Sequence, residues 1–111
     1  MKTFNINILG EDYTVYFVDE QTAQLAKDNS VGSCSPLKKE IYVLNEDGWR
    51  TTLIHEILHA FFIESGLVID EGIHTEANVY WISNQLLKIV RAFEIAERYC
   101  TEETWVGGAE Q

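Results

Sequence analysis

Two of the three histidines in this 111-residue chain stand four residues apart with an acid between them, in the stretch His55-Glu56-Ile57-Leu58-His59. The stretch lies inside the apolar run Leu53 to Ile63 and is closed by Ser65-Gly66. On a helix, residues four apart share a face one turn apart, so both imidazoles can point at a single metal ion. Glu56 then sits beside them, off the ligand axis. A metal-dependent hydrolase needs its general base in that place, taking a proton from water activated by the metal without filling a coordination position. An unpaired Glu and two unpaired His inside an apolar helix are costly to bury, and a metal ion removes the cost.

A catalytic zinc ion takes three protein ligands and keeps the fourth position open. The third ligand must therefore come from elsewhere in the chain, and Glu71, His74 and Glu76 are the nearest downstream candidates. If a second long helix is already regular at residue 74, His74 shares an arc with Ala77, Trp81, Ala92, Ala96 and Tyr99, the apolar side. Glu76 falls opposite, beside Ser83, Glu94 and Arg98, and faces water. This favours His74 as the third ligand, with Glu76 as the alternative. Asn78, one turn on from His74, is positioned to accept a hydrogen bond from its free ring nitrogen and fix the tautomer.

The elements that must position these groups follow from periodicity and punctuation. Thr3 to Leu9 alternates polar and apolar, Gly10-Glu11-Asp12 supplies a turn, and Tyr13 to Val18 is β-branched and aromatic, which together predict a hairpin. Asp19 is the expected N-cap of a short helix from about Glu20 to Lys27. Val31 to Ser35 and Glu40 to Leu44 read as two more strands joined through Pro36, Lys38 and Lys39. Asp47 is the expected cap of the metal helix, which runs to about Ser65 with Gly66 as its left-handed terminator. Asp70 is the expected cap of a second helix from about Glu71 to Tyr99. The fold class is α+β: N-terminal antiparallel strands with one short helix, then two long helices carrying the site. Residues 1–100 form one domain, and 101–111, with Gly107-Gly108 and three glutamates, read as an acidic flexible tail whose Trp105 has no assigned role.

Composition excludes several function classes. Eighteen acidic against eight basic residues give a net charge of -10, a sign that repels a phosphate backbone, so no nucleic-acid partner is expected. No run approaches membrane-spanning length. The N-terminus lacks the apolar core of a signal peptide. Cys34 and Cys100 have no metal-type spacing and read as thiols. A cytoplasmic protein is the expectation, and nothing in the sequence sets its oligomeric state.

The segment Glu40-Ile41-Tyr42-Val43-Leu44, the His55-Glu56-x-x-His59 helix and the downstream Glu76-Ala77-Asn78 together resemble the minimal zinc metallopeptidases of the ImmA/IrrE and SprT-like groups, found in phages and mobile elements. The likeness covers about residues 31 to 90. It implies a small zincin-like domain, a Zn2+ cofactor and a protein or peptide substrate, with regulatory proteins among the candidates. In ImmA/IrrE-like proteins the third ligand is typically a Glu shortly before an Ala-Asn pair, and here the position four before Asn78 is His74. In SprT-like proteins the third ligand is a His at a spacing similar to that between His59 and His74. Both comparisons point to His74. Leu58 replaces the glycine common in the ImmA/IrrE helix, and no apolar-proline motif follows the second helix. The reading is a zinc metallopeptidase with Glu56 as general base and His55, His59 and His74 as ligands, its substrate entering along the strand Glu40 to Leu44. The alternative is a catalytically silent, zinc-stabilised binding protein acting on a host or regulatory partner.

Overall fold

The alternating N-terminal segments do close into a hairpin. In the computed structural model, which describes residues 1–26 and 30–102, β1 (Lys2–Ile8) and β2 (Glu11–Val18) pair antiparallel from Lys2↔Phe17 to Ile8↔Glu11. The turn is Leu9-Gly10, one place earlier than expected, with φ of 51° and 93°. Two consecutive residues at positive φ match the right-handed twist of the flanking strands. Glu11 and Asp12 are already ladder residues.

The sheet is mixed, which corrects the expectation of antiparallel strands throughout. A short helix α1 (Ala23–Ala26) precedes β3 (Gly32–Ser35), and β4 (Glu40–Leu44) then runs parallel to β2 and antiparallel to β3. The strand order is β1-β2-β4-β3. A parallel neighbour needs a connection of about a dozen residues or more, and the chain between β2 and β4 supplies it. The cap of α1 is Thr22, whose Oγ1 accepts from Leu25 N at 3.3 Å. Asp19 instead holds the N-terminal ammonium at 2.8 Å and accepts from Asn45 Nδ2 at 3.3 Å.

Helix α2 (Trp49–Glu64) starts at Gly48, not at Asp47, because Gly48 takes the left-handed conformation there (φ 89°) with no side-chain cap. Its end is as expected: Gly66 has φ 101°, its N–H donates to Ile63 O at 3.0 Å, and Leu67 N donates to Phe62 O at 2.8 Å. This is the Schellman arrangement, which glycine permits without strain. Helix α3 (Glu76–Thr101) begins five residues later than expected, capped by Thr75 Oγ1, which accepts from Asn78 N at 3.1 Å. Asp70 lies at φ 69° inside the connecting loop, not at a helix start.

The core lies between the sheet and α2. Ile8, Tyr13, Val15, Ile41, Val43 and Ala60 are buried together, with Trp49, Leu53 and Ile57 of α2 packed against them. Each large apolar side chain so enclosed contributes about 1.5–3 kcal/mol. Helix α3 packs on α2 through Val79 and Ser83 and then projects beyond the rest of the molecule. The radius of gyration is 17.3 Å, against about 13 Å for a compact domain of about this size. Among the described residues no helix is long and apolar enough to cross a membrane. Trp105 and Gly107-Gly108 lie outside the described residues.

The last turn of α2 is tied to the sheet by charge. Glu64 accepts from Tyr13 OH at 2.6 Å and pairs with Lys39 Nζ. These two donors hold its carboxyl below the usual carboxylate range. A depressed carboxyl stabilises the fold above its unfolded value and loses that contribution as pH falls through the folded one. Glu64→Gln is therefore expected to lower stability at pH 7 in urea titrations, with the gap to wild type closing below pH 4.5. A gap that does not change with pH would show the ion pair to be irrelevant.

Candidate metal centre

Helix α2 places His55, Glu56 and His59 on adjoining faces, and the loop 65–75 brings α3 back so that its first residue arrives beside them. The Nε2 atoms of His55 and His59 lie 3.4 Å and 2.8 Å from Oε1 of Glu76. One nitrogen from each imidazole and one oxygen from Glu76 fall within 4.8 Å of one another, so the group could hold a metal ion. Ligands around a tetrahedral zinc at ~2.0–2.1 Å lie roughly 3.3 Å apart. The donor set fits that scale.

His74 lies behind this group. Its ring is wholly buried and packs against Phe62, with Nδ1 2.8 Å from Leu67 O and Nε2 2.8 Å from His59 Nδ1. A carbonyl can only accept, so His74 Nδ1 carries a proton, and in the neutral ring His74 Nε2 is then the acceptor. His59 Nδ1 must then donate, which leaves a lone pair on His59 Nε2 facing the Glu76 carboxylate oxygen at 2.8 Å. Two acceptors that close repel unless a cation lies between them. A proton held on His59, on Glu76 or on the far ring of His74 would also satisfy this contact, and for His59 burial holds the pKa below the ordinary histidine value, against the pull of Glu76.

The structure thus brings together His55 and His59 with Glu76, while both ring nitrogens of His74 are engaged elsewhere. The azimuth argument for His74 assumed a helix regular at residue 74, and the helix begins at Glu76. Asn78 does not reach His74 either. Its Nδ2 donates to Ile73 O at 3.0 Å and so braces the loop, while Leu67 O takes the tautomer-fixing role. Thr75, a capping residue directly before an acidic first turn, is the sequence signal that marked Glu76 as a helix start.

Glu56 is buried in the same cleft. Burial, with the nearby charge of Glu76 adding to it, pushes its carboxyl up to about 8. The cleft, about 510 Å³, is bordered by Gly32 and Cys34 of β3 and by Ile63 and Ile69 beyond the donors. A shallower lobe of about 310 Å³ continues past His55 to Thr51, Thr52 and Tyr80. Burial also pushes the Cys34 thiol up to about 12, helped by the charges of Glu56 and Glu64, so it is no nucleophile. Strand β4 is interior to the sheet, paired on both sides, which corrects the expected entrance along Glu40 to Leu44. The strand bordering the cleft is β3. Tyr42 stacks on Tyr16 at 4.6 Å, whereas Tyr80 sits 6.4 Å from His55.

Compared with protein-family models, with curated proteins and with solved structures, the chain matches none. The functional reading therefore rests on the site itself.

Glu76→Ala is expected to abolish stoichiometric Zn2+ binding in a competition titration, and His74→Ala to weaken it about 10–100-fold, the usual cost of losing the group behind a ligand. Equal loss in both variants would place His74 among the ligands. Gly32 yields a separate expectation. A Cβ there would lie 2.5 Å from Thr52 Cγ2 and 2.8 Å from Glu56 Oε2, so Gly32→Ala should cost about 1–3 kcal/mol in urea denaturation.

Proposed function

We propose that this chain is a zinc-dependent metallopeptidase of zincin-like architecture, with His55, His59 and Glu76 as ligands and Glu56 as general base. One observation carries the reading: one nitrogen from each of two imidazoles and one carboxylate oxygen converge within 4.8 Å of one another at a cleft. Two imidazoles and one carboxylate are a donor set that suits zinc and leaves a coordination position open. When bound, zinc supplies Lewis acidity that polarises a scissile carbonyl and brings the pKa of water toward 7.

The chain's own residues supply the rest. Glu56 adjoins His55 in sequence and opens onto the same cleft, close enough to take a proton from water there and return it to the leaving amine. Burial first, and the charge of Glu76 second, push its carboxyl up to about 8. Beside a bound cation it ionises at lower pH, which makes it a base at neutrality. Gly32 keeps β3 close to α2, so a peptide laid along this outer strand passes over the donors. Of the two tyrosines, Tyr80 is the one in reach of a developing oxyanion, one turn after Glu76 on α3.

The test uses a quenched fluorescent unfolded protein as substrate and measures zinc content in parallel. Glu56→Gln should bind one zinc per chain yet cleave ~10²–10⁴-fold more slowly than wild type. Undiminished cleavage by that variant, or full zinc loading of wild type with no cleavage of any unfolded protein, would overturn the peptidase reading. The second outcome would leave the ion as a structural staple.

A further inference from the structure

Helix α3 carries a second pattern that the metal centre does not use. Ile82, Leu86, Ile89, Phe93, Ala96 and Cys100 recur at alternating spacings of four and three, which on a helix draws one seam that stays facing a neighbouring helix. Val79 and Ser83 bury against α2, but every residue from Lys88 to Glu102 is exposed. Phe93 is 60% and Tyr99 70% exposed. The charges Lys88, Arg91, Glu94 and Arg98 lie on the side away from the seam, and Glu97 flanks it. A helical half of this length, without tertiary cover, is marginal in water.

We propose that the seam pairs antiparallel with α3 of a second copy, about a two-fold axis level with Arg91. In that register Ile82 meets Cys100, Leu86 meets Ala96 and Ile89 meets Phe93, so the outer layers each combine a large side chain with a small one. A parallel pair would stack Phe93 on Phe93 and Ala96 on Ala96, overfilling one layer and leaving a void in the next. On the flanks Val90 meets its counterpart, Ala92 meets its counterpart, and Gln85 lies opposite Tyr99. No like charges are brought together, and the helix dipoles oppose. The pairing is isologous, the commonest closed symmetry.

The area is sufficient. An aromatic side chain buries about 150–250 Å². At their exposures, Phe93 and Tyr99 with Leu86, Ile89 and Val90 offer roughly 500 Å² per copy, hence roughly 1,000 Å² in the pair, the lower bound for a specific interface. An apolar patch of this size is at the scale of the largest one on a monomer, which is often an interaction site.

Sedimentation velocity on the full chain up to about 100 µM, a range suited to an interface of this modest size, should show twice the 12.7 kDa mass. The Ile89→Glu/Phe93→Glu variant should sediment as monomer with its helical circular dichroism and zinc stoichiometry intact. Leu86→Cys/Ala96→Cys in a Cys100→Ser background should form copy-to-copy disulfides under mild oxidation, since these seam positions face each other in the antiparallel register, a readout that holds even if the charged double variant misfolds. A wild type monomeric at every concentration overturns the proposal and assigns the seam to residues 103–111 or to a different protein. Oxidative linking through Cys100 of the wild type, with none through Leu86→Cys/Ala96→Cys, overturns the antiparallel register.

Discussion

Where one proton resides on a buried chain of three groups decides what this protein can bind. The Leu67 carbonyl cannot donate, so His74 must, so His59 must donate to His74, and the outward nitrogen of His59 is left bare toward Glu76. With both imidazoles neutral, each step follows from the one before. The backbone is set by Gly66, whose left-handed conformation turns the chain out of α2 and presents Leu67 at the required place. A glycine at a helix terminus thus determines the electronic state of an imidazole seven residues back along the chain.

Around that chain the scaffold is arranged to keep α2 still. The sheet face grips it along Leu53, Ile57 and Ala60, Gly32 lets β3 approach without a side chain between, and Glu64 fastens the last turn to Tyr13 and Lys39. A small protein concentrates its burial where a fixed geometry is needed. The two clustered acids, Glu56 and Glu76, are tolerated at close range because burial favours the neutral form of Glu56, while Glu76 emerges at a helix start, where the dipole favours a negative side chain.

Much of this was legible in the residues. The four strands, the metal helix and its glycine terminator followed from period-two alternation, the apolar run and Ser65-Gly66, each a local signal. The mixed character of the sheet was not, because β2 and β4 pair across a connection whose direction no local pattern records. At the site, His55 and Glu56 with His59 declare themselves by spacing alone. Glu76 did not, since two capping residues competed: Asp70 precedes a stretch that could begin a helix, but Asp70 itself sits at positive φ and the loop around it closes on Asp70 N to His74 O at 2.6 Å. A shift of five residues in a helix start rotates every downstream azimuth argument, and it exchanged the apparent roles of His74 and Glu76.

Helix α3 opens with Glu76 and runs 26 residues, a rod of about 39 Å at 1.5 Å per residue. Its first turns are clamped between Thr75 and α2, while its far end lies well clear of the sheet. The end that carries Glu76 is thus the end held against α2, so the carboxylate has its place beside the two imidazoles independently of the exposed far end.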